Sequence, residues 1–293
     1  MENPRYDFSP IVDRPPLRWP NGARVAVWVI PNVEYFEFDL PGTTFRPPPR
    51  EMPDVINYSW RDYGPRVGIW RTMDTLDRFG IRGTVALNSL VCRHHPRIVE
   101  EMLKRDWELM GHGTTNSRSI VGLSEDAERE LIQSTLREIR ECTGQTPRGW
   151  LSPGLGETYK TPDLLAEAGI QYVCDWVADD QPFVIKVRRG TLLAMPYTVE
   201  LNDIPLFIGQ NRTGQQYFET IRDQFDILYR EGEANGRVMA ISLHPFLVGV
   251  PHRLKYLERA LEYISRHSGV WLATGGEIAD WYLRGRSETP ADD

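Results

Sequence analysis

Seven or eight times along this chain, a short run rich in β-branched and aromatic residues gives way to a stretch with helical spacing, and no Gly/Ser-rich linker interrupts the series. The strand-like runs are Arg24 to Ile30, Thr84 to Leu87, Trp107 to Met110, Arg148 to Leu151, Tyr172 to Trp176, Leu193 to Val199, Arg237 to Leu243 and Val270 to Ala273. Between them, Arg66 to Phe79 places Val67, Trp70, Met73, Leu76 and Phe79 on one helical face, and Gly80 stops it. Helices are likewise expected from Pro96, after the cap Ser124 with its acidic first turn, from Thr161 and Pro162, over Gln216 to Glu231 and over Arg253 to His267. Parallel strands joined by right-handed crossovers in that number predict an α/β fold closed into a distorted (β/α) barrel of seven or eight strands; a doubly wound open sheet is the alternative. Residues 1–22 read as a proline-rich arm on the surface or on a neighbouring subunit, 23–285 as one domain, and 286–293 as a flexible tail. Phe36 to about Tyr63 lacks periodicity and reads as a long loop, its RPPPR segment (Arg46 to Arg50) stiffened by proline.

The 293 residues carry a formal net charge of −7 and show no basic stripe, which excludes a phosphate-backbone partner. No apolar run approaches the roughly 20 residues that span a bilayer. The first residues, MENPRYDFSPIVDRPP, lack the apolar core of a secretory signal. Cys92, Cys142 and Cys174 are odd in number and form no CxxC pair, so they are expected to be reduced thiols in a cytoplasmic protein, with Cys174 in the core.

A barrel brings the C-terminal end of every strand to one mouth. Glu34, Asn88, His112, Arg148, Asp175 and His244 follow successive strand-like runs and are expected to meet there. In WELMGHGTTN, Gly111 and Gly113 leave room for a ligand or another backbone beside His112, and Asn116 can turn back toward the same pocket. Such a set suits attack of water on a carbonyl: Glu34 takes the proton of the water, and His244 protonates the leaving nitrogen. His112, with Asn116 and Glu34, could hold a divalent cation, and Arg148 could pair with Glu34 or Asp175. Asn32, Asn88, Trp150, Pro153, Asp175 and Asp179 are expected to contact substrate. Glu157 and Asp203 reach the mouth without a task, His94, His95 and His267 fall on surface helices or loops, and His252, in the PFLVGVPHR run directly after His244, could fold over the mouth. No GxSxG elbow, P-loop or HExxH motif is present.

The motifs PNVEYF, GHGTTN, RGWLSPG, DWVADDQP and SLHPF, in this order at these strand ends, resemble those of the polysaccharide deacetylase superfamily from about Arg24 to Trp281. That resemblance implies the distorted barrel, His244 as general acid and Arg148 as the arginine that orients the base. Sugar deacetylases of the family carry two adjacent aspartates in the first motif and HxxxH in the second. Here those positions read Asn32, Val33, Glu34 and His112 to Asn116, so one imidazole of the metal site is replaced by an amide. Departures of this kind resemble the allantoinase-like and cyclic-imide hydrolase branch, some of whose members work without the usual metal. The cofactor is therefore expected to be none, or one divalent cation such as zinc at a degraded site. The function expected is hydrolysis of a non-peptide carbon–nitrogen bond in a small cyclic amide, imide or ureide. The alternatives are N-deacetylation of an acetylated sugar or glycan, and an inactive ligand-binding barrel. The partners expected are a small-molecule substrate and further copies of the chain, with a tetramer the form the resemblance suggests.

Overall fold

The computed structural model describes residues 3–40, 42 and 52–287. Its strands are β1 (Val25–Val33), β2 (Thr84–Leu87), β3 (Glu108–Gly111), β4 (Gly149–Trp150), β5 (Tyr172–Val173), β6 (Phe183–Ile185), β7 (Leu192–Ala194), β8 (Arg237–Leu243) and β9 (Val270–Leu272). Its helices are α1 (Val55–Tyr63), α2 (Ile69–Arg78), α3 (Leu90–His94), α4 (Pro96–Lys104), α5 (Glu125–Thr143), α6 (Thr161–Glu167), α7 (Gly214–Glu231), α8 (Pro245–Val248), α9 (Pro251–Ser265) and α10 (Gly275–Ser287).

All nine strands join one sheet in the order β6-β7-β5-β4-β3-β2-β1-β8, with β9 also paired to β1. Every pairing is parallel except β6 with β7. The sheet curls into an incomplete barrel, and a parallel bridge from Asn202 to Ser242 reaches β8 from the chain beyond β7. β1 organises it, pairing with β8 from Val25↔Arg237 to Pro31↔Leu243, with β9 along its first residues, and with β2 at its last two. Because β9 lies beside only the start of β1, α10 passes under the adjoining strands. There the Gly275 N–H donates to Thr84 Oγ1 at 2.9 Å and the Gly276 N–H to Glu108 Oε2 at 2.8 Å. That end of the barrel is closed.

Strand geometry sorts side chains by parity. Val25, Val27 and Val29 pack outward with the helices in one cluster, whereas Ala26, Trp28 and Ile30 face inward with Ala86, Met110, Leu151, Cys174 and Ala240 in another. Continued by two residues per step, the inward rows arrive at Asn32 and Glu34, Asn88, His112 and His244. The alternation that fills the core thus also aims the polar residues at the open end.

Three expectations need correction. The stretch from Phe36 to Tyr63 is not loop throughout, since α1 occupies its last nine residues, with the Asp54 carboxylate accepting the Asn57 N–H at 3.2 Å as a cap. The prolines before it masked this start. Residues 64–68 then form a π-helical turn, so the helix expected from Arg66 begins at Ile69. β6 was not anticipated; it is three residues long and antiparallel, a pattern too brief to show in periodicity. The arm lies on its own chain, with Arg5 donating to the Lys186 carbonyl at 3.0 Å. The RPPPR segment and residues 288–293 lie outside the described residues, and α10 runs two residues past the expected domain end.

Candidate active site

Glu34 follows β1 directly and is buried, its side chain 7% exposed. Four groups converge on its carboxylate. His112 Nε2 and His244 Nε2 each lie 3.6 Å from Oε1, Arg61 Nη1 lies 3.9 Å from Oε2, and the Asn116 amide N–H donates to Oε1. Burial alone would raise the affinity of Glu34 for its proton. The charge of His244 and the closeness of both imidazoles outweigh that and hold it well below the usual carboxylate range. Glu34 is therefore ionised throughout the neutral range.

His244 is gripped by Asp203, which accepts its backbone N–H at 2.7 Å and its Nδ1–H at 2.6 Å. Burial disfavours the charged ring, but the carboxylates of Asp203 and Glu34 prevail and raise His244 to about 9. Burial also raises Asp203, so the two groups compete for one shared proton. The two hydrogen bonds from His244 to Asp203 favour the ion pair, with the proton on the imidazole. Nε2 then points its own proton into the site.

A chain of hydrogen bonds fixes the orientation of Asn116. The Tyr35 N–H donates to Asn88 Oδ1 at 2.9 Å, so Asn88 Nδ2 faces the other way and donates to the His112 carbonyl and, at 3.0 Å, to Asn116 Oδ1. Asn116 must therefore turn its N–H toward Glu34. A donor at that position is not a metal ligand. His112 and Glu34 remain, and catalytic zinc sites take three protein ligands. Among the described residues no group of three or more His, Cys, Asp or Glu side chains could hold a metal. The expected set of His112, Asn116 and Glu34 thus does not fit the ion.

Several expected site residues lie elsewhere. Arg148 precedes β4 at the closed end of the barrel, where it donates to Asp280 and to Gln171 Oε1 at 2.9 Å; it touches neither Glu34 nor Asp175. It stands on the wrong end of its strand. Trp150 points outward and is fully buried, its ring filling the space that a side chain at Gly111 would need, 2.6 Å from an ideal Cβ. Pro153 similarly packs on Gly113, whose φ is +66°. The room beside His112 is thus taken by the protein itself, and neither residue is placed to meet substrate. Asp179 is bound to Arg14 of the arm at 2.6 Å. Asn32 sits one inward step below Glu34, donating to Ser242 Oγ at 2.9 Å, and Asp175 accepts the Ser152 N–H at 2.8 Å.

Two residues had no assigned task. Asp203 lies 41 residues before His244, too far for any spacing to link them. Arg61 fell within the stretch expected to be loop. Its guanidinium lies 3.8 Å from the Phe36 ring centroid and 5.2 Å from that of Phe246. With Asn32, Glu34, Gly64 and Pro245 these residues line a cavity of ≈ 20 Å³, room for about one water beside the carboxylate.

A sequence profile described as polysaccharide deacetylase matches residues 50–173. The crystal structure of PuuE allantoinase superposes with a TM-score of 0.88 at 28% identity, covering 99% of this chain and 100% of that one. Residues 50–173 thus carry a polysaccharide deacetylase domain, and the whole chain shares the fold of these similar structures. A Pseudomonas aeruginosa PAO1 structure described in the same family matches at TM-score 0.85 and 28% identity over 94% of this chain and 96% of its own. A Schizosaccharomyces pombe relative described likewise is 28% identical over 89% of this chain and 91% of its own, and the Helicobacter pylori peptidoglycan deacetylase is 26% identical over 60% of this chain and 70% of its own. The domain match and the allantoinase neighbour support a hydrolase acting on carbon–nitrogen bonds other than peptide bonds. Among the described residues no helix is long and apolar enough to cross a membrane.

Proposed function

We propose that the protein hydrolyses the amide bond of a small, uncharged cyclic amide, imide or ureide, with Glu34 as general base and His244 as general acid. The observation that carries this reading is the placement of the Glu34 carboxylate and the His244 imidazole 3.6 Å apart at the open end of the barrel. Water held between Glu34 Oε1 and His112 Nε2 gives a proton to Glu34 as its oxygen attacks the carbonyl carbon. The tetrahedral intermediate collapses when His244 Nε2 hands its proton to the leaving nitrogen, and the ring opens. Asp203 steadies the imidazolium before that transfer, and Arg61 takes the orienting place beside the base.

Charge balance supports an uncharged substrate. Glu34 and Asp203 are offset by Arg61 and His244, and a neutral amide entering between them leaves that balance undisturbed. Phe36 and Phe246 give the side of this cavity next to Arg61 an apolar character. The metal-independent course follows from the donor set, in which the Asn116 N–H occupies a ligand position. A further expectation, that the chain works as a homo-oligomer, belongs to the same reading.

Purified protein should be incubated with hydantoin, allantoin, succinimide and dihydropyrimidines, and in parallel with acetylated chitooligosaccharides. Ring opening in the first set, abolished in Glu34→Gln, is expected. Release of acetate from the second set alone would replace this reading with sugar deacetylation. Inertness toward both would favour a binding barrel.

A further inference from the structure

The peptide joining Leu151 to Ser152 is hydrogen-bonded at both ends. Its carbonyl oxygen accepts from His112 Nδ1 at 2.6 Å, and its N–H donates to Asp175 Oδ1 at 2.8 Å. One amide plane therefore stands between a carboxylate and a site imidazole. Hydrogen bonds strung through a single amide polarise one another, strengthening each by about 10–30%. A negative charge on the N–H side makes the carbonyl a better acceptor, which draws on the Nδ1 proton and enriches the ring at Nε2. That far atom is buried without a hydrogen-bond partner and faces Glu34 Oε1.

The chain continues behind Asp175. Its Oδ2 is buried and has no hydrogen-bond partner so long as Glu157 beside it is also ionised. Burial and the charge of Asp175 push the Glu157 carboxyl well up, so it keeps a proton that it can donate to Asp175. Glu157 Oε1 in turn accepts from Trp176 Nε1 at 3.0 Å. These groups do not reach Glu34 or His244, and the hydrolytic steps above make no use of them.

We propose that Asp175, backed by Glu157, is a positioning residue that acts on His112 through the Leu151–Ser152 peptide, fixing the direction and electron density of Nε2 where it meets water and substrate. This rests on the hydrolytic reading. His244 has its carboxylate in direct contact, whereas His112 has one a peptide away.

The test is Asp175→Asn, which keeps an oxygen for the Ser152 N–H but removes the charge. Its kcat is expected to fall about 10-fold or more with KM within about twofold, the range for lost support behind a site histidine. The proton resonance of His112 Nδ1–H, assigned by its loss in His112→Gln, is expected to move upfield. Glu157→Ala should shift both readouts the same way, and Glu157→Gln, whose amide can still donate to Asp175, should restore most of the loss. A folded Asp175→Asn protein with unchanged kcat and an unmoved resonance would overturn the relay. If Asp175→Asn does not fold, the Glu157 pair reads the same chain, and no difference between Glu157→Ala and wild type would overturn it equally. The resonance also separates the two ideas: hydrolysis persisting in Glu34→Gln would defeat the catalytic reading, while the Nδ1 shift would still decide the relay.

Discussion

At His244 one proton links catalysis and stability. Its folded-state value of about 9 lies above the ordinary 6.5, so the interactions that raise it stabilise the fold fully below about pH 6.5 and are lost as pH rises through 9. The proposed mechanism needs the same proton, whereas Glu34 is lowered and stays ionised. The rate should therefore be level from about pH 6 to 8 and decline above about 9, as a pH profile of kcat/KM will show. Glu34→Gln and His244→Ala should each cost about 100-fold or more in kcat, since each removes a positioned acid or base. Asp203→Asn should bring the alkaline decline to lower pH, because the charge that holds the imidazolium is gone. Prolonged chelation should leave the rate unchanged, as measured by activity and metal content together. Glu34, His112 and His244 were legible in the sequence because each directly follows a strong strand run. Arg148 was misread because it adjoins a strand of only two residues, and from sequence alone the start and end of so short a run look alike.

Among the elements, the π-helical turn at residues 64–68 does most to shape the site. Gly68 lies against the Pro245 carbonyl so closely that a Cβ would overlap the oxygen, and the same contact seats α8 directly after His244. Gly68→Ala should therefore lower the melting temperature and, on the proposed mechanism, reduce kcat together, because the backbone that would have to yield carries His244. Thermal unfolding and steady-state kinetics on one preparation test this. No sequence signal marked that contact, since a glycine inside a helical pattern reads as a weak helix former. The long periodic helices were readable by contrast: α5 begins at the expected Ser124 cap, whose side chain accepts the Ala127 N–H at 3.3 Å. Propensity located the elements that stand on their own pattern and missed those that exist only through a neighbour.

For the whole molecule, the arm and the barrel form one body. Arg14 grips Asp179 through Nη1 at 2.8 Å and Nη2 at 2.6 Å, both side chains largely buried. Asp179→Asn should lower the melting temperature while leaving KM unaltered; a raised KM would return Asp179 to the substrate pocket. The barrel itself was legible from the count of alternating elements, whereas the place of β9 beside β1 was not, because pairing between residues near 25 and near 270 leaves no trace in local pattern. That pairing has a consequence for biogenesis. The strand leading to Glu34 pairs with residues about 245 positions further along, so it stands without that neighbour until Val270 and Trp271 have been synthesised. Until then the nascent protein holds an unfinished sheet edge beside β1.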